Sequence, residues 1–234
     1  MRDGCLSYET FCVEGELLRR RSRELAIGQN VGFETGVATW EWRQGERPHL
    51  EGNSYLVSSE NARSYLSITD GKSEVSTEHF GDDVKELEQL IEEDICADDE
   101  EMQTTMQCQQ DETALLELHI VYHTIYQTPV LYFRVFAVDG TPLRASVITG
   151  DMEFSGSSCR STFIAMEEHP VLGKPFSFLH PCETAAAMRL LLAQVNSDSV
   201  LATWSPVDVP VYLASWLSLV QPVTGISPRD YYAL

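Results

Sequence analysis

The chain has 234 residues, 43% of them hydrophobic, which suits one globular domain with room for an insertion. Its formal charge is −20 and its isoelectric point about 4.5. Such acidity excludes a nucleic-acid binder, which needs basic surface to displace counterions, and it excludes charge-driven attachment to an anionic membrane.

Residues 1–16 hold no apolar run of the length a signal peptide needs. The apolar stretch 207–223 is interrupted by Asp208, Pro210, Gln221 and Pro222, so no stable membrane insertion is expected. The six cysteines (5, 12, 96, 108, 159, 182) have no paired spacing and read as reduced thiols of a cytoplasmic protein.

In chain order, residues 14–27 (EGELLRRRSRELAI) predict a helix that stops at Gly28. Its Arg19, Arg20, Arg21 and Arg23 form either a solvated face or a docking face for an acidic partner. Trp40 and Trp42 share one face of a strand-like stretch, and residues 55–59 and 65–68 are two further short strand candidates. Residues 70–112 break this pattern. Between 82 and 101 stand eleven acidic residues and one lysine, with Val84, Leu87, Leu90, Ile91 and Ile95 at helical spacing. The segment reads as an acidic, flexible insertion within a single domain of residues 1–234, either a solubilising loop or a recognition helix.

Residues 115–138 carry the strongest strand signal. Leu116, Leu118, Ile120 and Tyr122 alternate with Glu117, His119, Val121 and His123, and the pattern resumes as VLYFRVFAV after Thr128-Pro129. Two long antiparallel strands follow, the second apolar on both faces and therefore covered on both. His119 and His123 share a face, but no third ligand has matching spacing, so no metal is expected. Residues 144–163 are poorly patterned. Residues 184–195 and 212–220 predict two helices, the second between Pro210 and Pro222.

Several chemistries lack their residues. There is no phosphate-cradling glycine loop, no dinucleotide fingerprint, no His-Glu-x-x-His and no Gly-x-Ser-x-Gly elbow. His180-Pro181-Cys182 has Ala185 where a zinc deaminase needs its second cysteine. What remains is Cys182, placed before the helix at Thr184, where unpaired backbone N–H groups favour an anion. Spacing alone leaves two readings open: a nucleophile, or a buried small hydrophobe.

The stretch His169-Pro170, Gly173-x-Pro175, His180-Pro181-Cys182 resembles the active-site signature of the E2-like conjugating enzymes of autophagy. VYHTIYQTPVLYFR (121–134), Gly140-Thr141-Pro142-Leu143 and SWLSLVQPVTG (215–225) resemble the autophagy-related protein ten family among them. The resemblance implies an α+β, E2-like fold: an N-terminal helix, an antiparallel sheet, and helices after the cysteine. It implies that Cys182 takes a ubiquitin-like autophagy modifier as a thioester from an E1-like activating enzyme. A lysine of an acceptor protein then attacks that thioester. ATP is consumed by the E1-like partner, so no cofactor is expected here. His180 and Thr184 are candidate supporting residues, and with no Asn between 113 and 194 the oxyanion donor falls to Thr184 or to backbone N–H groups after Cys182. The rival readings are the sister enzyme that modifies phosphatidylethanolamine, a catalytically silent E2-variant scaffold and a cysteine hydrolase. Thr184, the presence of Cys182 and the absence of a local His–Asp pair speak against them in turn. The 115–138 hairpin, with its turn at Tyr126 to Pro129, is the expected surface for the acceptor protein.

Overall fold

Strands β3 (Gln109–His123) and β4 (Thr128–Ala137) form the long antiparallel hairpin that the alternation predicts, in register from His123↔Thr128 to Ala114↔Ala137. They belong to a computed structural model that describes residues 3–28, 37–47, 50–68, 109–149, 164–197 and 210–232. Around the hairpin stand β1 (Glu41–Gln44), β2 (Ser54–Ile68), β5 (Pro142–Leu143), β6 (Ile164–Glu168) and β7 (Pro175–Leu179). Their order across the sheet is β1-β2-β3-β4-β7-β6, with β5 beside β4. The helices are α1 (Tyr8–Gly28), α2 (Ser146–Thr149), α3 (Thr184–Ser197) and α4 (Val211–Thr224). This is the α+β arrangement expected: a helix first, an antiparallel sheet, then helices after the cysteine.

The two faces of the hairpin are covered differently. Leu116, Leu118, Ile120, Leu131, Phe133 and Val135 point into one core with Phe11 and Leu18 of α1, Met188 of α3, and Tyr212 and Trp216 of α4. Val121, Val130 and Tyr132 point the other way, into a thinner layer with Tyr55, Phe176 and Phe178 to which none of the described helices contributes. Alternation therefore sorts the hairpin between a thick helix-covered core and a thin aromatic one.

Long-range polar contacts tie the helical layer together. Glu14 of α1 is buried, and its carboxylate accepts the first N–H groups of α4, Tyr212 at 3.3 Å and Leu213 at 2.7 Å. It supplies the capping oxygen that Pro210 cannot. Trp40 donates its indole N–H to the Tyr231 hydroxyl at 2.9 Å, and that hydroxyl donates to Ala38 O at 2.8 Å.

Several sequence expectations change. α1 begins at Tyr8, six residues before the predicted start at Glu14, because Tyr8, Phe11 and Cys12 add an apolar turn packed on the core. The two short strands at 55–59 and 65–68 are one strand, with Glu60 in the left-handed region (φ 62) between them. β3 starts at Gln109, inside the stretch read as insertion. α4 continues past Pro222 to Thr224, since a proline in the last turn removes only one bond of the ladder, and Gly225 (φ 73) ends it. The arginines of α1 have partners within the chain: Arg19 on Glu16, Arg23 on Glu41, Arg20 and Arg21 on Glu24.

The chain divides into two compact units, Met1–Tyr65 with Thr113–Leu234, and Leu66–Glu112. The acidic 82–101 segment and its helical pattern lie outside the described residues. Among the described residues no helix is long and apolar enough to cross a membrane.

Candidate active site

β7 leads directly to the cysteine. Phe176 and Phe178 alternate inward and fix the strand on β4, with Tyr132↔Phe178 in register. The chain leaves β7 through His180, which is extended (φ −62, ψ 127), and enters a single 3-10 turn, Pro181–Glu183. Pro181 is buried and presets the turn, its missing N–H costing nothing at a first position. α3 starts at once behind it. Cys182 is thus held on a short, rigid corner between a strand and a helix, and its side chain is exposed, whereas Cys5 and Cys12 are part-buried.

His180 caps that corner. Its Nδ1 accepts the backbone N–H of Cys182 at 3.2 Å. An imidazole whose Nδ1 is occupied in this way carries its proton on Nε2, so the ring acts here as an acceptor that shapes the turn. Thr184 is buried and helical (φ −59), with its N–H on Pro181 O.

Two residues from the β3–β4 turn complete the surroundings. The Tyr126 ring meets His180 edge-on at 5.9 Å between centroids and His123 at 4.8 Å. The Tyr126 N–H donates to His123 Nδ1 at 3.2 Å, and Gln127 (φ 51) turns the chain so that its N–H reaches His123 O at 2.7 Å. Burial pushes His123 below the usual imidazole value, with Glu167 opposing and His180 adding to the fall. From the N-terminal side, Leu6 donates its N–H to Gln127 O at 2.8 Å, and the Cys5 thiol lies 3.9 Å from Tyr126 O.

Sequence reasoning singled out Cys182, His180 and Thr184, and the structure holds them on one corner. It had named Tyr126 only as part of an acceptor surface and His123 only on a strand face, so it missed both as neighbours of this corner, and it missed the strap at residues 4–7. The sequence signal for Tyr126 was its place in the 121–134 stretch, and nothing local pointed to the strap. Among the described residues no three His, Cys, Asp or Glu side chains converge where a metal could sit. His119 is instead buried in a chain of hydrogen bonds, Nδ1 to His169 Nε2 at 3.1 Å and Nε2 to Glu117 Oε1 at 3.1 Å. What the corner offers chemically is an exposed thiol on a fixed backbone, next to aromatic and imidazole rings and open to a large partner.

Residues 10–231 match the family described as autophagocytosis-associated protein, active-site domain. The chain is similar to the ubiquitin-like-conjugating enzyme ATG10 of Arabidopsis thaliana, 37% identical over 121 residues that cover 50% of this chain and 52% of the relative. The human protein of the same name is 37% identical over 120 residues, 49% of this chain and 51% of the relative. Autophagy-related protein 3 of Dictyostelium discoideum is 31% identical over 86 residues, 37% of this chain and 25% of the relative. The chain spans about half the length of the ATG10 relatives it matches.

Proposed function

The chain belongs to the autophagocytosis-associated protein family, and on that premise we propose that it is an E2-like conjugating enzyme acting through Cys182. The Cys182 sulfur attacks the thioester carbonyl that joins a ubiquitin-like modifier to an E1-like activating enzyme. The sulfur–acyl bond to Cys182 forms as the one to the E1-like cysteine breaks, and that cysteine leaves as its thiol. A lysine amine of an acceptor protein then attacks the new thioester. The amide bond forms, the amine's proton is lost, and Cys182 departs as a thiol. A thioester carries a good leaving group, so the protein's task is to position the lysine and to hold the developing oxyanion, for which backbone N–H groups after Cys182 are the proposed donors.

The observation that carries this reading is the exposed Cys182 thiol on a turn that His180 closes from behind. A structural cysteine would be buried among apolar groups. The E1-like enzyme, the modifier and the acceptor protein are the proposed partners, and the cytoplasm the proposed place of action. The acceptor reading is preferred over modification of phosphatidylethanolamine because the ATG10 relatives are aligned at 37% identity and the autophagy-related protein 3 relative at 31%. The test is to mix the protein with the E1-like enzyme, modifier and ATP and to look for an adduct that reductant removes. Adding the acceptor protein should then consume the adduct and yield a reductant-stable product, whereas the rival predicts consumption by phosphatidylethanolamine vesicles.

A further inference from the structure

Of the 16 lysine and arginine side chains in this sequence, thirteen are arginine and three are lysine: Lys72, Lys85 and Lys174. Lysine is ordinarily among the commonest residues of a soluble domain, so what is scarce here is the amine, not the positive charge. Some of the arginines make contacts that need a planar guanidinium. Arg19 grips both carboxylate oxygens of Glu16, and Arg134 lies 3.9 Å over the Phe176 ring. Others do not. Arg23 and Arg43 each meet Glu41 through one nitrogen, at 3.0 and 3.8 Å, a contact that an ammonium makes equally well. Geometry therefore explains only part of the replacement of lysine by arginine.

Lys174 is the one lysine among the described residues. It stands exposed in the turn before β7, where its carbonyl accepts the His169 N–H at 2.8 Å. Cys182 follows the other end of that strand. The five residues of β7 cover about 17 Å of extended chain, a gap that one lysine side chain does not bridge. α3 offers the opposite geometry. Cys182, Ala186 and Arg189 recur at helical spacing and are all exposed, and helical side chains tilt toward the N-terminus, here toward the thiol. Position 189 lies roughly 10 Å along the axis from Cys182, and position 186 lies closer. These two places hold a methyl group and a guanidinium.

The difference matters to a thioester. A guanidinium keeps its proton in proteins and does not attack an acyl carbon, whereas a lysine amine gives up a proton and does. An amine in the same molecule, correctly oriented, acts at an effective concentration of about 10⁵ M or more, which no separate protein can match. Its attack would form an amide on the enzyme itself, break the sulfur–acyl bond and release Cys182 as a thiol, with the modifier lost to the acceptor.

We propose that the exclusion of lysine from the reach of Cys182 is a specificity determinant: arginine supplies positive charge without a competing nucleophile, so the thioester is not discharged onto its own enzyme. The choice of amine is left to the acceptor protein, and the loaded enzyme persists until it meets one. The proposal rests on the conjugating reading above.

The test compares full-length wild type with Ala186→Lys and Arg189→Lys, which place an amine beside the thiol. Two controls accompany them. Ala186→Arg adds bulk and charge without an amine, and Arg23→Lys adds an amine beside β1, four strands across the sheet from β7. Each protein is loaded with modifier, the E1-like enzyme and ATP are removed, and the thioester is followed without acceptor, on gels with and without reductant. Wild type and both controls should lose modifier only slowly, to water, with no reductant-stable self-conjugate. Ala186→Lys and Arg189→Lys should form that conjugate at least about tenfold faster, mapped to the new lysine, and give correspondingly less acceptor product. Self-conjugation of wild type on Lys72, Lys85 or Lys174 at the variants' rate overturns the proposal. So do lysine variants that load and hold the thioester as long as wild type, or an Arg23→Lys protein that self-conjugates as fast as they do. Loss of loading in both α3 lysine variants but not in Ala186→Arg also overturns it, because the amine would then disturb transfer from the E1-like enzyme. Failure of the wild type to form any reducible adduct contradicts the conjugating reading itself, and is visible before any decay is timed.

Discussion

His180 Nδ1 lies 3.2 Å from the backbone nitrogen of Cys182 and accepts its N–H, closing the turn on which the thiol stands. The bond fixes both the direction of the cysteine and the tautomer of the imidazole. His180→Ala removes the cap, costs about 1 kcal/mol of local order, and should slow thioester discharge about tenfold. His180→Asn offers an oxygen at similar reach and should stay within a few-fold of wild type. If the two variants discharge equally slowly, the ring does more than cap.

Stability in acid should report the buried His169 imidazole. The Val171 and Leu172 N–H groups both donate to His169 Nδ1 at 3.2 Å, so His169 donates from Nε2 to His119, and His119 donates to Glu117. Burial, with His119 and Arg134 adding and Glu117 opposing, pushes His169 down to about 3. The unfolded chain protonates this residue near 6.5, the folded chain only far below. Stability is therefore full above pH 6.5 and is lost as pH falls from there toward 3. His169→Gln cannot titrate. It should cost about 1–3 kcal/mol at pH 7.5 through broken hydrogen bonds, and its urea midpoint should fall less steeply between pH 6.5 and 4.5. Equal slopes for both proteins would contradict the assignment.

A pair of glycines tests the N-terminal strap. Gly4 (φ +74) passes so close to α3 that an added Cβ would stand 1.8 Å from Ala185 O, while its own carbonyl accepts the Tyr212 hydroxyl at 2.7 Å. Gly140 has a similar φ of +86 with nothing within 4 Å of an added Cβ. Gly140→Ala should cost about 1 kcal/mol from backbone strain alone. Gly4→Ala should cost several-fold more in thermal denaturation, and loosen the contact of Leu6 with Gln127 beneath Tyr126. Similar costs would mean that the strap is not held as described.

The parts of this fold that could be read in the sequence are those whose burial follows a pattern over many residues. β3 alternates from Ala114 to Leu118, β4 is a long apolar run buried on both faces, and the C-terminal helix carried a continuous apolar stripe. β6 could not be read, because four of its five residues are exposed and leave no period to detect. β7 is five residues long and opens on a proline. Residues 4–7 are held by Tyr122, Tyr212 and Gln127, all more than a hundred positions away, so nothing local marks them. The candidate site divides in the same way. His180, Pro181 and Cys182 are neighbours in sequence and form a motif, whereas Tyr126 and His123 reach them only through strand pairing.

The central claim is that Cys182 carries the modifier. Wild type, Cys182→Ser and Cys182→Ala are each incubated with the E1-like enzyme, modifier and ATP, then separated with and without reductant. Wild type should give an adduct that reductant removes. The serine protein should accumulate slowly an adduct that resists reductant, yields to strong base and transfers badly to the acceptor lysine, since an oxyester has the poorer leaving group. The alanine protein should give none while melting close to wild type, because the replaced side chain is exposed. A reducible adduct that survives in Cys182→Ala would contradict the account.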